Sequence, residues 1–153
     1  VMAKKPHETA TSPDEKPANV ISRGVVRMLG EMGYASVTEF TLKNNRRVDV
    51  IGLNRRGKIV IVEIKSSVAD FRSDHKWTEY LEFCEEFYFA VAEEFPRHIL
   101  PEDQGLIIAD RFGAEIVVGA ETRKINAARR KSLTLNFGRT AAKRLQQFID
   151  PDL

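Results

Sequence analysis

A chain of 153 residues, 42% hydrophobic and 30% charged, has the size and composition of one soluble globular domain with a useful core. It has no apolar stretch near the roughly 20 residues that cross a bilayer, and no h-region at its start, so a cytoplasmic location without a membrane partner is expected. The single cysteine, Cys84, excludes an internal disulfide and a cysteine-rich zinc site, while a net charge of +2 points to no partner.

Residues 1–16 mix Lys, Pro, Thr, Asp and Glu with little to bury and are expected to form a disordered tail, leaving 17–153 as the single domain. From Pro17, apolar residues recur at Val20, Ile21, Val25, Met28, Leu29 and Met32, which predicts a helix ended by Gly33. A first strand is predicted over Ser36 to Leu42, followed by a turn at Lys43-Asn44-Asn45. Two further strands flank the polar turn Asn54-Arg55-Arg56-Gly57. After Ser67 the pattern becomes helical, with Asp74 as a cap and Trp77, Leu81 and Cys84 on the inner side. Cys84 lies among aromatic and aliphatic residues and is expected to be a small buried hydrophobe. Glu86 to Ala92 reads as a buried strand and Phe95 to Pro101 as a connection with one helical turn. A hairpin is predicted about Arg111-Phe112-Gly113, then a closing helix from Asn126 to Phe148. Hairpins give antiparallel pairs and the helical crossover a parallel one, so a mixed β-sheet flanked by helices, an α/β fold, is expected.

The stretch Arg46 to Ser67, RRVDVIGLNRRGKIVIVEIKSS, carries the chemistry. Strand alternation puts Ile59, Ile61, Glu63 and Lys65 on one face and Val60, Val62 and Ile64 on the other. Asp49 sits on the adjoining strand. An acid and a lysine two apart are commonly no more than a solvated strand edge. Here, however, the run from Lys58 to Ile64 is almost continuously aliphatic, as in a strand covered on both faces. Ionised groups are rare in such a place unless paired or bound to a cation. Two carboxylates converging beside an ammonium suit a divalent cation and an activated water.

Asp49, thirteen residues, then Glu63-Ile64-Lys65 resembles the motif of the PD-(D/E)xK nucleases, with Val48 standing where the motif has Pro. The wider set is more specific. Thr38-Glu39, Arg46 to Val50, Ile61 to Phe71, Lys76-Trp77 and Phe87 to Val91 together resemble the MmcB family of bacterial DNA repair proteins, over about Pro17 to Arg144. The resemblance implies a restriction-endonuclease-like αβββαβ core, here with an added strand pair and C-terminal helix. It also implies a Mg²⁺- or Mn²⁺-dependent DNA endonuclease, with Asp49, Glu63 and the Ile64 carbonyl as metal ligands, Glu39 completing the shell, and Lys65 as the catalytic ammonium. A lone ammonium is a compact point charge suited to a water or phosphoryl oxygen. Glu31, late in the first helix, is the competing acid.

Lys76, Trp77 and Tyr80 share one side of the predicted helix. Lys76 is a candidate phosphate contact, whereas Trp77 and Tyr80 read more simply as core. Ser67 reads as a cap and Asp70 as a turn or salt-bridge residue. His75 and His98 stand alone, which offers zinc nothing. From Arg123 to Phe148 there are eight Lys or Arg residues and no acid, so Arg129, Arg130 and Lys131 are candidate DNA contacts; the alternative is a solvated helix face. Cleavage of both strands would call for a homodimer. The reading from another class is a DNA-binding or adaptor module of the same fold whose catalysis is weak or lost.

Overall fold

The computed structural model describes residues 14–153, so the expected tail lies outside the described residues except for Asp14 to Lys16. Within those three, Glu15 pairs with Arg23 at 3.2 Å. Helix α1 spans Pro17–Glu31, with proline in its first turn, where a missing N–H costs nothing. Its stripe Ile21, Val25, Met28 and Leu29 is buried, and Gly33 follows at φ +89°, a left-handed conformation that favours glycine.

Six strands follow: β1 Tyr34–Thr41, β2 Arg47–Asn54, β3 Ile59–Ile64, β4 Glu86–Val91, β5 Gly105–Ala109 and β6 Ala114–Val118. They form one sheet in sequence order. The β1–β2, β2–β3 and β5–β6 pairs are antiparallel, and β3–β4 and β4–β5 are parallel. The β2–β3 register is set by its turn, where the Asn54 side chain accepts from the amides of Arg56 and Lys58 and Gly57 sits at φ +81°. All six residues of β3 are buried, as its aliphatic run requires. Ile59 and Ile61 join the core on one face, and Val60, Val62 and Ile64 the core on the other.

Helix α1 covers the second of these faces. The first is covered by α3, Ala127–Ile149, and by the β3–β4 connection. That connection departs from the single helix expected from the sequence. It consists of a short helix α2, Val68–Ser73, capped by the Ser67 hydroxyl, and a 3₁₀ segment, Trp77–Phe83. Asp74 lies between them rather than opening one continuous helix. With about three residues per turn, Trp77, Tyr80 and Phe83 share the inner face, and Leu81, partly buried, packs against the same core. Trp77 stacks on Phe87 at 5.8 Å and meets Phe89 edge-on at 5.2 Å, which makes it core. Cys84 is buried, and burial pushes its thiol up to about 12.

The β1–β2 pair is irregular at one place. Val37 and Phe40 are three apart yet face the same core, as do Val48 and Ile51 opposite them. Regular alternation would put residues three apart on opposite faces. The register passes over Glu39 and Asp49, and Glu39 has φ +48°. Alternation is therefore reset at the Asp49 position.

Candidate functional site

The β2–β3 ladder ends at Val50 opposite Val62. One residue beyond, the Asp49 side chain takes the ladder's place: its Oδ2 accepts the Ile64 amide at 2.7 Å. This draws Asp49 onto the end of β3, within hydrogen-bonding reach of the Glu63 carboxyl. Glu63 is 7% exposed and Lys65 3% exposed. Glu63 Oε2 is buried with no partner among the described residues, an arrangement that normally costs about 1–3 kcal/mol. Burial, then the neighbouring Asp49 charge, push the Glu63 carboxyl up to about 10; Lys65 opposes this only in part.

The reason Lys65 does little for Glu63 is its other partner. The ammonium lies 3.8 Å from Glu63 Oε1 but 2.5 Å from Asp74 Oδ2. Burial would raise the Asp74 carboxyl, yet the Lys65 hydrogen bond and the Lys76 backbone amide outweigh it and hold that group below its ordinary value. Tyr80 completes the surround. Its ring is buried, as its core reading expects, and its hydroxyl donates to the Arg47 carbonyl at 3.4 Å. Burial raises its phenol, and Glu63, Asp74 and Asp49 add to that, so the hydroxyl lies in the field of all three acids.

Two carboxyl groups, Glu63 and Asp74, thus flank one ammonium, and a third, Asp49, lies beside Glu63. If all were ionised, two negative charges would be left over, the charge a divalent cation neutralises; without it, Glu63 keeps a proton instead. Among the described residues, no three His, Cys, Asp or Glu side chains are grouped as ligands, which fits zinc poorly. Mg²⁺ asks for less, since it is held by one or two carboxylates and keeps several waters. Asp49 and Glu63, all-oxygen and under-neutralised, are the pair that could hold it, with the Ile64 carbonyl at the same strand end.

Three other expected site residues are exposed. Glu39 is exposed, on β1 opposite the point where the register passes over Asp49. Its carbonyl accepts from Arg144 at 2.7 Å, and the Thr38 carbonyl accepts from the same guanidinium. Glu31 is exposed at the end of α1. Lys76 is exposed beside Asp74, at the mouth of the acid cluster.

The basic helix does not present all its charges to solvent. Arg130 donates to the Gly57 carbonyl at 2.7 Å and pairs with Glu85, whose other oxygen accepts the Ile59 amide at 2.8 Å. Arg129 pairs with Glu82 at 3.3 Å and lies over the Phe83 ring at 4.8 Å. These two arginines fasten α3 to the body, while Lys131 is exposed. A groove of about 620 Å³ opens between the β1–β2 turn and the start of α3, with Lys43, Asn44, Arg129 and Ser132 on its walls and no carboxylate.

Asp74 is the residue that the sequence reading did not place in the site. It sits nine residues past Lys65 in a polar turn, where no spacing rule marks it.

No curated protein matches the chain. A solved structure, the SPO1766 protein of unknown function from Silicibacter pomeroyi, is similar at 47% identity and a TM-score of 0.87, over 91% of this chain and 95% of that one. The family model described as DNA repair protein MmcB-like matches residues 4–152. With nearly its whole length matched, and the Asp49–Glu63–Lys65 constellation at the end of its central strand, the chain belongs to the MmcB-like DNA repair protein family.

Proposed function

We propose that the protein is a Mg²⁺-dependent DNA endonuclease of the PD-(D/E)xK type that hydrolyses phosphodiester bonds in repair. The observation that carries this reading is the buried Asp49–Glu63 pair, under-neutralised and beside Lys65. Mg²⁺, when bound, supplies neutralisation of phosphoryl charge and activation of a water. Asp49 and Glu63 contribute the carboxylates that hold it. Asp49 is oriented for this by the Ile64 amide, and Glu63 by its place on a strand buried on both faces. Lys65, fixed two residues along the same face, offers a donor to the attacking water or to a non-bridging phosphoryl oxygen. Because the site is nearly closed to solvent, that charge acts in a low-dielectric setting where it is worth more than in water. Lys76, exposed beside Asp74, is the candidate contact to a neighbouring phosphate, and the exposed Lys131 a candidate contact elsewhere on the backbone. Such contacts carry no sequence information, so discrimination among DNA forms is expected to rest on shape.

One observation favours the binding-module reading: Glu39, expected to complete the metal shell, is exposed, and no group of three ligating side chains forms among the described residues. Cleavage of branched, flapped, nicked and plain DNA with Mn²⁺ under single-turnover conditions separates the two readings. Cutting of at least one form, abolished by Asp49→Asn and Glu63→Gln, is the expected result. With Lys65→Met, turnover should drop about 10²–10³-fold while DNA affinity changes little. Binding without cutting of any form would favour the module.

A further inference from the structure

We propose that Asp74 is a positioning residue that holds both lysines of the site, Lys65 by its ammonium and Lys76 by its backbone; its effect on turnover rests on the nuclease reading above. Asp74 Oδ2 accepts Lys65 Nζ at 2.5 Å, and Asp74 Oδ1 accepts the Lys76 amide at 2.7 Å. One carboxylate therefore ties the end of β3 to the turn that carries Lys76. The Lys65 and Asp74 side chains are 3% and 13% exposed, so the contact is withheld from solvent competition. A buried ammonium needs a charged partner. Glu63 is the less effective one, 3.8 Å away and itself crowded by Asp49.

An ammonium on a four-carbon stem has three donors and many rotamers. Giving one donor to Asp74 fixes where the nitrogen sits. Two donors remain, for Glu63 and for a water or phosphoryl oxygen between them. Without Asp74, Lys65 would be drawn toward Glu63 and Asp49, into the space a cation would take. Misplacement of a reacting group by about 1 Å can cost on the order of a hundredfold in rate.

The experiment has two arms. In the first, NMR on ¹⁵N,¹³C-labelled parent protein looks for scalar coupling across the hydrogen bond between the Lys65 Nζ and the Asp74 carboxyl carbon. Coupling supports the proposal whether or not any DNA is cut, and its absence overturns it. In the second, single-turnover cleavage with Mn²⁺ compares the parent with Asp74→Asn, which keeps an acceptor for Lys76 but loses the charge, and with Asp74→Glu, which keeps the charge. The Asn variant should cut roughly tenfold to a hundredfold more slowly at unchanged DNA affinity. The Glu variant should recover part of that loss, which a merely structural turn residue would not require. An Asn variant that cuts at the parental rate overturns the proposal. If the parent cuts nothing while the coupling is present, the nuclease reading fails and the positioning contact stands.

Discussion

Glu63 shows how a single ionisable residue can conflict with its surroundings. Its strand is buried on both faces, its Oε2 has no partner among the described residues, and Asp49 is its neighbour. Its carboxyl sits at about 10 instead of the usual 4.5, so between those values the native state keeps a proton that the unfolded chain releases. The favourable contribution is full below 4.5 and fades as pH rises toward 10. Stability of the metal-free protein should therefore fall with pH across that window, by up to about 1.4 kcal/mol per pH unit from this group. Glu63→Gln, neutral at every pH, should flatten the slope and raise the melting temperature at pH 8 in chelator. Urea denaturation from pH 5 to 9 checks this, and an unchanged slope in the variant would count against the buried-acid account. The acid was legible in the sequence because it stood in an aliphatic run, where charge is out of place. Asp74 was not, because its contact with Lys65, nine positions earlier, depends on how the intervening segment folds back.

At the scale of elements, α3 shows what a charge run conceals. Eight basic residues without an acid suggested a face for DNA. Yet Arg130 and Arg144 are spent on carbonyls and on Glu85, contacts that span 73 and 106 residues and leave no local signature. Arg130→Ala should strand the Glu85 carboxylate, whose side chain is 10% exposed, and destabilise the fold by roughly 2–3 kcal/mol, as chemical denaturation would measure. Lys131→Ala should instead leave stability unchanged and weaken binding across unrelated DNA sequences, lowering the salt slope by about one. Equal effects of the two substitutions on stability would dissolve the distinction. The β3–β4 connection teaches a similar lesson. Apolar residues at Trp77, Leu81 and Cys84 fit an α-helix, but Trp77, Tyr80 and Phe83 fit a 3₁₀ period as well. Packing against Phe87 and Phe89 decides between them. The strands were easier to read, since alternation and turn residues act locally.

Across the whole molecule, the sheet is one continuous layer whose two faces carry different duties. Helix α1 closes one face, and Gly24 is where it meets the β5–β6 hairpin most tightly: a Cβ there would come within 1.9 Å of the Asp110 carbonyl oxygen and 2.4 Å of that of Gly113. Both obstacles are backbone, so Gly24→Ala should destabilise by about 2–3 kcal/mol or more without touching the opposite face. In any fraction that folds, cation binding should survive, because the acid cluster belongs to the other layer. That cluster was foreseeable as far as Asp49, Glu63 and Lys65. Its charge imbalance was not, since it depends on Asp74 and on the reset of alternation at Glu39 and Asp49. In the proposed function, Asp49 and Glu63 hold a divalent cation in exchange for the Glu63 proton. Isothermal titration of Mn²⁺ at pH 7.5, in two buffers of different ionisation enthalpy, tests it most directly. One ion per chain should bind with release of close to one proton, both lost in Glu63→Gln and binding lost in Asp49→Asn. No binding, or binding that neither substitution alters, would contradict it.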